Sequence, residues 1–146
     1  FEVNLFGATR LVQHYAGAML ARGSGRVVCV SSGMGRLRDA DGASFAYRSS
    51  KLALNALTLA VAHHFQPGTG GAEPRDLSAF AFCPGWIRTD MGMRDAPGEP
   101  GHVAADLARL LRLPATDTNG RFFRGPRELG WDTGASRRID ETSILA

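Results

Sequence analysis

Apolar residues recur at helical spacing through the first part of the chain and then give way to a short apolar run. Positions three or four residues apart share one face over about the first twenty residues, which predicts an amphipathic helix. These positions are Leu5, Thr9, Val12, Tyr15, Ala16, Met19 and Leu20. Residues 23–25, which include two glycines, are expected to end that helix. Residues 27–30 are continuously apolar, which is typical of a strand buried on both faces of a parallel sheet.

The middle of the chain repeats this alternation of helix and strand. Residues 31–44 are rich in Gly, Ser, Asp and Arg and predict a loop. Helical periodicity returns over residues 44–65. A Pro/Gly-rich surface connection follows at 66–76, and then a second apolar strand at 77–83 that a Pro-Gly pair closes.

A third helix and a third strand complete the predicted pattern. The helix is expected over residues 101–113 and a short strand over 121–124, with an irregular polar tail at 132–146. Alternating helices and strands make residues 1–131 one α/β unit, with a parallel sheet covered by helices on both sides. Since ligands bind at the carboxyl ends of the strands in such sheets, chemistry is expected in the loops that begin at Ser31 and Pro84.

The composition narrows the function classes. With 44% apolar and 21% charged residues, the 146-residue chain has the composition of an ordinary globular domain. None of its apolar stretches is long enough to cross a membrane, and the scattered arginines behind its net charge of +3 do not favour a nucleic-acid surface. Cys29 and Cys83 are expected to be buried free thiols of a cytoplasmic protein. The four histidines lack metal-ligand spacing, so no metal site is expected.

Tyr47 and Lys51 form the most informative pair in the sequence. Of the 17 basic residues Lys51 is the only lysine, and arginine does not replace lysine where a compact ammonium is required. Four residues apart on a helix, the two side chains lie on one face, within reach of each other or of a shared ligand. A neighbouring ammonium stabilises a phenolate and so favours proton transfer by the phenol. The pair predicts a proton-transfer site, although an ordinary surface pair has the same spacing.

Three further features carry candidate chemistry, each with a structural alternative. Ser31 and Ser32 follow the first strand, where a hydroxyl can stabilise charge on a substrate oxygen, but serine pairs are also common in turns. Residues 84–89 follow the second strand, and their backbone groups can pair with a flat amide such as a carboxamide; the alternative is a plain turn. Asn4 is mildly unfavourable in a helix, and its side chain or a loosened carbonyl could hold a water, unless it is a surface residue.

In this order, these segments resemble the short-chain dehydrogenase/reductase family. Residues 3–7 (VNLFG) resemble the helix of the family's catalytic asparagine, and residues 26–32 (RVVCVSS) its serine strand. Residues 47–51 (YRSSK) resemble its YxxxK helix, and residues 83–91 (CPGWIRTDM) its PGxxxT segment. The tryptophan of the last motif, together with GRFF at 120–123 and Trp131, is most similar to the carbonyl-reductase branch.

The resemblance implies a fold and an activity. The fold would be the C-terminal part of a Rossmann-like, doubly wound parallel sheet of about three strands with flanking helices, whose N-terminal βαβ units are missing. The activity would be hydride transfer between the nicotinamide of NAD or NADP and a small carbonyl or alcohol substrate, and the carbonyl-reductase likeness favours NADP. Family members also pair into homodimers through the helices that correspond to those of Asn4 and Tyr47.

The resemblance further implies a role for each matching residue. Tyr47 would donate or accept the proton, and Lys51 would lower its pKa and bind the nicotinamide ribose. Ser32 would orient the substrate oxygen, and Asn4 would hold the water of a proton relay. Additional substrate contacts would come from Gly33 and Trp86. The nicotinamide end of the cofactor would meet the residues of the Pro-Gly segment, namely Pro84, Gly85, Ile87 and Thr89.

The sequence departs from the family in one respect that bears on function. The glycine-rich TGxxxGxG turn, which holds the pyrophosphate at a helix N-terminus, is not among these 146 residues. The chain is therefore expected to be a truncated form that is inactive alone. One alternative is a non-enzymatic binding or regulatory remnant of the same family. Another is a serine hydrolase using Ser32, which is weak because no G-x-S-x-G turn surrounds the serine.

Overall fold

A four-stranded, mostly parallel sheet forms the centre of the protein. The computed structural model describes residues 1–39, 43–66 and 76–131. The sheet order is β1-β2-β3-β4, with bounds Ser24–Val30, Asp76–Cys83, Phe122–Arg124 and Arg127–Leu129. The first three strands are parallel and β4 returns antiparallel to β3. The predicted α/β class is confirmed, and the sheet has one strand more than the sequence suggested.

Helices cover this sheet on both faces. A π-helical turn runs directly into α1, and α2, α3 and the short α4 follow; their bounds are Glu2–Gly7, Ala8–Arg22, Phe45–His64, Pro100–Leu110 and Ala115–Thr118. Two 3₁₀ turns, Gly33–Gly35 and Leu37–Asp39, lie in the predicted loop after β1. Within the described part of the chain, no helix is long and apolar enough to cross a membrane.

Alternating side chains of β2 divide the core between the two faces. Leu77 and Ala79 pack with Val61 of α2 and with the inner stripe of α1, whereas Phe80 and Phe82 pack with Leu110 of α3. This alternation follows from the two-residue period of a strand. Because β2 is fully covered, it is the rigid centre from which the loop at Pro84 emerges.

The first strand differs from its prediction in length and in burial. Gly23 alone ends α1 in a left-handed conformation, with φ of 75°, so Ser24 and Gly25 are free to begin β1. Among the residues of β1 only Cys29 is buried, and Val30 is 51% exposed. The expected burial on both faces is wrong because β1 is the edge strand of the described sheet. The first helix buries less of its predicted apolar face than expected, since Tyr15 on that face is 53% exposed.

The C-terminal part contains two elements that periodicity did not predict. The helix predicted at 101–113 ends at Leu110, and α4 and β4 are additional. Asn119, just after α4, accepts from the Ala79 N–H at 3.0 Å and donates to the Ala62 carbonyl at 2.9 Å. Its side chain thus joins α2 to β2 and orients the start of β3. The predicted tail at 132–146 and most of the connection at 66–76 lie outside the described residues.

An ion pair joins the amino ends of the first two strands, opposite the predicted site. Arg26 of β1 and Asp76 of β2 pair at 2.6 Å, and the same guanidinium donates to the Leu113 carbonyl at 3.1 Å. The hydrogen bond from Arg26 lowers the pKa of the Asp76 carboxyl below its usual range. Since that carboxylate is largely solvated, the pair adds little stability.

Candidate active site

A cavity of about 510 Å³ lies at the carboxyl ends of the strands, where ligands bind in sheets of this kind. Three loops and one helix build it. Ser32 and Gly33 follow β1, Tyr47 projects from the first turn of α2, and Arg124 ends β3. The loop after β2 contributes the largest share, namely Pro84, Gly85, Trp86, Ile87 and Thr89.

The two serines after β1 have different surroundings. Ser31 is 3% exposed and its hydroxyl donates to Asn55 Oδ1 at 2.5 Å, so it braces α2 against β1. Ser32 lines the cavity, and its hydroxyl oxygen accepts from the Met34 N–H at 3.2 Å as the cap of a 3₁₀ turn. Since that contact uses a lone pair, the hydroxyl hydrogen of Ser32 stays available to donate. Ser32 is therefore the serine suited to hold a substrate oxygen.

The ammonium of Lys51 lies beside the ring of Tyr47. Its Nζ is 5.8 Å from the ring centroid and donates to the Val30 carbonyl at 2.9 Å, at the end of β1. Burial lowers the pKa of Lys51 from its usual value. One of three ammonium protons is used in this contact, which leaves two for a ligand. The described cavity wall includes Tyr47 but not Lys51, whose ammonium lies beside the tyrosine ring.

Asn4 lies next to Tyr47 without lining the cavity. Its Nδ2 donates to Ser50 Oγ at 3.0 Å, and that hydroxyl donates to the Tyr47 carbonyl at 2.8 Å. Asn4 lies within the π-helical turn Glu2–Gly7, where the backbone is wider than in an α-helix. The sequence predicted only a loosened carbonyl at this position, not a π-helix. Single π turns are frequent at functional sites. The observed contacts give Asn4 a bracing position behind the first turn of α2.

The segment after β2 presents an unused backbone donor to the cavity. The Gly98 N–H donates to the Trp86 carbonyl at 3.1 Å, and the Arg88 N–H donates to the Gly98 carbonyl at 2.9 Å. Because neighbouring peptide groups point to opposite sides of an extended chain, the Ile87 N–H faces away from Gly98. It donates to no acceptor within the described residues. An ion pair between Arg88 and Glu99 closes the loop from outside, and Gly85, with φ of 81°, makes the turn.

Sequence reasoning missed half of the cavity wall. The additional residues are Met34, Arg36, Arg48, Cys83, Met91, Gly92, Arg124 and Leu129. Of these residues, Arg124 could most readily have been predicted. It ends a strand, and ligands were expected to bind at the carboxyl ends of the strands. Both cysteines are free and buried as predicted; Cys83 Sγ accepts from the Gly33 N–H at 3.2 Å. Among the described residues, no group of three His, Cys, Asp or Glu side chains could hold a metal ion.

Comparison with known proteins gives consistent matches. The family described as short chain dehydrogenase matches residues 1–100. The C-signal protein of Myxococcus xanthus is 29% identical over 84% of this chain and 70% of its own length. Oxidoreductase UcpA of Escherichia coli O157:H7 is 30% identical over 99% of this chain but only 50% of its own length.

The fold comparison agrees with the sequence matches. The solved structure of the carbonyl reductase Sniffer of D. melanogaster superimposes with a TM-score of 0.70 at 26% identity, covering 88% of this chain and 54% of Sniffer. This chain thus spans about half the length of UcpA and of Sniffer. The family match extends from residue 1 to residue 100. It therefore includes all the described cavity-lining residues except Arg124 and Leu129.

Proposed function

Because the chain belongs to the short-chain dehydrogenase/reductase family, we propose that it carries the catalytic residues of a nicotinamide-dependent carbonyl reductase. The observation that carries the proposal is the convergence of Ser32 and Tyr47 on one cavity, with the Lys51 ammonium 5.8 Å from the tyrosine ring. A hydroxyl that can hold a carbonyl oxygen, a phenol that can protonate it and a cation beside the phenol are the side chains that carbonyl reduction by a bound hydride donor requires.

Each side chain has a separate task in this reaction. The Ser32 hydroxyl donates to the carbonyl oxygen and stabilises its developing charge. The Tyr47 hydroxyl transfers its proton to that oxygen, and the nearby Lys51 ammonium stabilises the phenolate that results. Asn4 acts through Ser50 on the first turn of α2 and so positions Tyr47; a water held at the π turn would return the proton.

The cavity fits the nicotinamide end of a dinucleotide. The free Ile87 N–H would pair with the flat carboxamide, and Pro84, Gly85 and Thr89, which also line the cavity, would hold the nicotinamide end. The two unused protons of Lys51 suit the ribose hydroxyls. These residues would hold a reduced nicotinamide, which would supply the hydride. We propose NADP rather than NAD as the cofactor. This choice rests on the likeness to carbonyl reductases alone, since none of the residues assigned above would contact the adenosine end of the cofactor.

We predict that the 146 residues alone bind NADPH and reduced nicotinamide mononucleotide equally weakly. The chain contains no TGxxxGxG turn, and phosphate contacts at such a turn anchor a dinucleotide in this fold. Fluorescence titration of the purified chain with both compounds measures the ratio of the two dissociation constants, which is expected near one. Micromolar NADPH binding with steady carbonyl turnover would show that the chain completes its own site.

We also propose a homodimer that pairs the helices of Asn4 and Tyr47. On α1 and the turn before it, Val3, Leu11 and Tyr15 are 84%, 61% and 53% exposed. They share one face with Gly7, opposite the stripe that packs on the sheet. On α2, Leu59 is 41% exposed. The exposed apolar face of α1, together with Leu59 on α2, is suited to be buried across a twofold axis.

The dimer is tested by a charge on its proposed centre. Leu11→Asp is expected to convert a dimer to a monomer in sedimentation equilibrium, because a buried unpaired carboxylate is costly at such an interface. Leu111→Asp, on the opposite face of the sheet and 40% exposed, is the matched control and should leave the dimer intact. A monomeric wild-type protein across the micromolar range would contradict the proposal.

A signalling role is the second candidate, because one relative carries the name C-signal. It corresponds to a binding or regulatory function without turnover. The two candidates differ in what Ser32 and Tyr47 must do: a binding function tolerates the loss of their hydroxyls, whereas carbonyl reduction does not. The tyrosine variant described in the Discussion therefore separates them.

A further inference from the structure

The guanidinium of Arg124 lies between the two loops that build the cavity. Its Nη2 is 3.8 Å from the position that a Cβ would take on Gly33, and its Nε is 3.8 Å from the corresponding position on Gly85. Gly33 follows Ser32 directly, and Gly85 follows Pro84. The guanidinium of Arg124 therefore faces the same cavity as Ser32 and Tyr47. The two glycines that it approaches are the sequence neighbours of Ser32 and Pro84.

This guanidinium has no protein partner in the described part of the chain. No hydrogen bond or salt bridge involves it, although other arginines nearby are paired. Arg121, earlier in the same hairpin, pairs with Glu128 at 2.8 Å. Asp106 lies close to Gly125 but pairs with Arg109 at 3.2 Å. A planar fork of five donors is thus left for a ligand.

The charge of the cavity wall has one sign. Its charged side chains are Arg36, Arg48 and Arg124, and no Asp or Glu belongs to the described lining. The other polar side chains are the hydroxyls of Ser32, Tyr47 and Thr89. Arg36 and Arg48 have other partners, so Arg124 is the charge in the described lining that is left for a ligand of opposite sign.

We propose that the cavity takes carbonyl substrates that also bear a carboxylate, and that Arg124 binds this carboxylate. The inference rests on the proposed carbonyl reduction and adds its substrate class. Arginine binds a carboxylate through two parallel N–H···O bonds. In the reaction the hydride adds to the carbonyl carbon, the Tyr47 proton goes to the oxygen, and the carboxylate stays unchanged. At about 510 Å³ the cavity has the size of a small-molecule site.

A matched pair of aldehydes tests whether Arg124 binds a substrate carboxylate. The protein is used in the form that its organism makes, called the native protein below. The probes are 4-formylbenzoate and its neutral methyl ester. Calorimetric titration without nicotinamide measures their affinities, and consumption of NADPH measures their kcat/KM values. The acid is expected to be favoured about tenfold in both measurements, because a charge-assisted bidentate contact is stronger than a neutral one.

Variants of Arg124 assign the preference to this residue. Arg124→Ala is expected to remove the acid preference while leaving the ester's affinity within a few-fold. Arg124→Lys should retain part of it, because the charge stays and the fork is lost. Arg127→Ala is the matched control: Arg127 is opposite Arg124 in the hairpin and does not line the cavity. Equal melting temperatures show that each variant folds.

The outcomes separate this inference from the proposed function. Selective binding of the acid through Arg124 without hydride transfer would support the inference and contradict carbonyl reduction. Equal affinity for acid and ester, or no binding of either, would overturn the inference. An acid preference that survives in Arg124→Ala would overturn it as well.

Discussion

Tyr47→Phe is expected to lower kcat for carbonyl reduction by about 10²- to 10⁴-fold, the usual contribution of a general acid. The substitution removes only the hydroxyl, at a position where the ring lines the cavity and the Lys51 ammonium lies 5.8 Å from its centroid. NADPH affinity should change by no more than a few-fold, since a proton donor acts chiefly in the transition state. Steady-state kinetics and cofactor titration of the native protein measure the two quantities.

The chain provides its own control for this variant. Tyr15 is the other of its two tyrosines, and it is 53% exposed on α1, outside the cavity lining. Tyr15→Phe loses the same atom and should keep wild-type turnover. If Tyr47→Phe is equally active, the proton comes from another group and the role given to Tyr47 is wrong.

Lys51→Arg is expected to lower turnover by about a hundredfold or more even though it keeps the positive charge, because a guanidinium cannot reproduce the compact contacts of an ammonium. Lys51 Nζ donates to the Val30 carbonyl at 2.9 Å from a half-buried position. NADPH affinity should fall too, since the same ammonium is proposed to hold the ribose.

The measurement again needs a matched exchange. Arg109→Lys makes the reverse substitution on α3, where the side chain is 72% exposed, and should change neither turnover nor affinity. Near-normal kcat and KM in Lys51→Arg would show that Lys51 is a surface residue, and the uniqueness of this lysine in the chain would be accidental.

Local spacing was enough to predict which candidate residues lie close together when they belong to one helix or follow one strand. Tyr47 and Lys51 share a helix face, and Ser32 follows a strand, so their neighbourhood depends only on helix periodicity and on parallel order. The choice of Ser32 over Ser31 came from the family resemblance and stays a prediction. In the structure the Ser31 hydroxyl donates to Asn55, whereas Ser32 lines the cavity.

The features that the sequence did not predict depend on contacts between distant segments. β4 has only three residues, too few for a periodic signal, and it forms because β3 offers it an edge. Val30 is exposed, although a continuous apolar run predicts burial, because β1 is the edge strand of the described sheet. The π turn at Asn4 is accompanied by a hydrogen bond to Ser50, 46 residues away. Arg124 joins the cavity because β3 pairs with β2 in one particular register.

Transfer of a labelled hydride is the most direct test of carbonyl reduction at this cavity. The native protein would be incubated with an aldehyde and NADPH carrying deuterium at both C4 positions, and the alcohol product would be analysed by mass spectrometry. We predict one deuterium on the carbinol carbon of every product molecule, and about a hundredfold less product or lower still with Tyr47→Phe over the same time. An alcohol without deuterium, or the absence of alcohol from the wild-type protein, would contradict the proposed function.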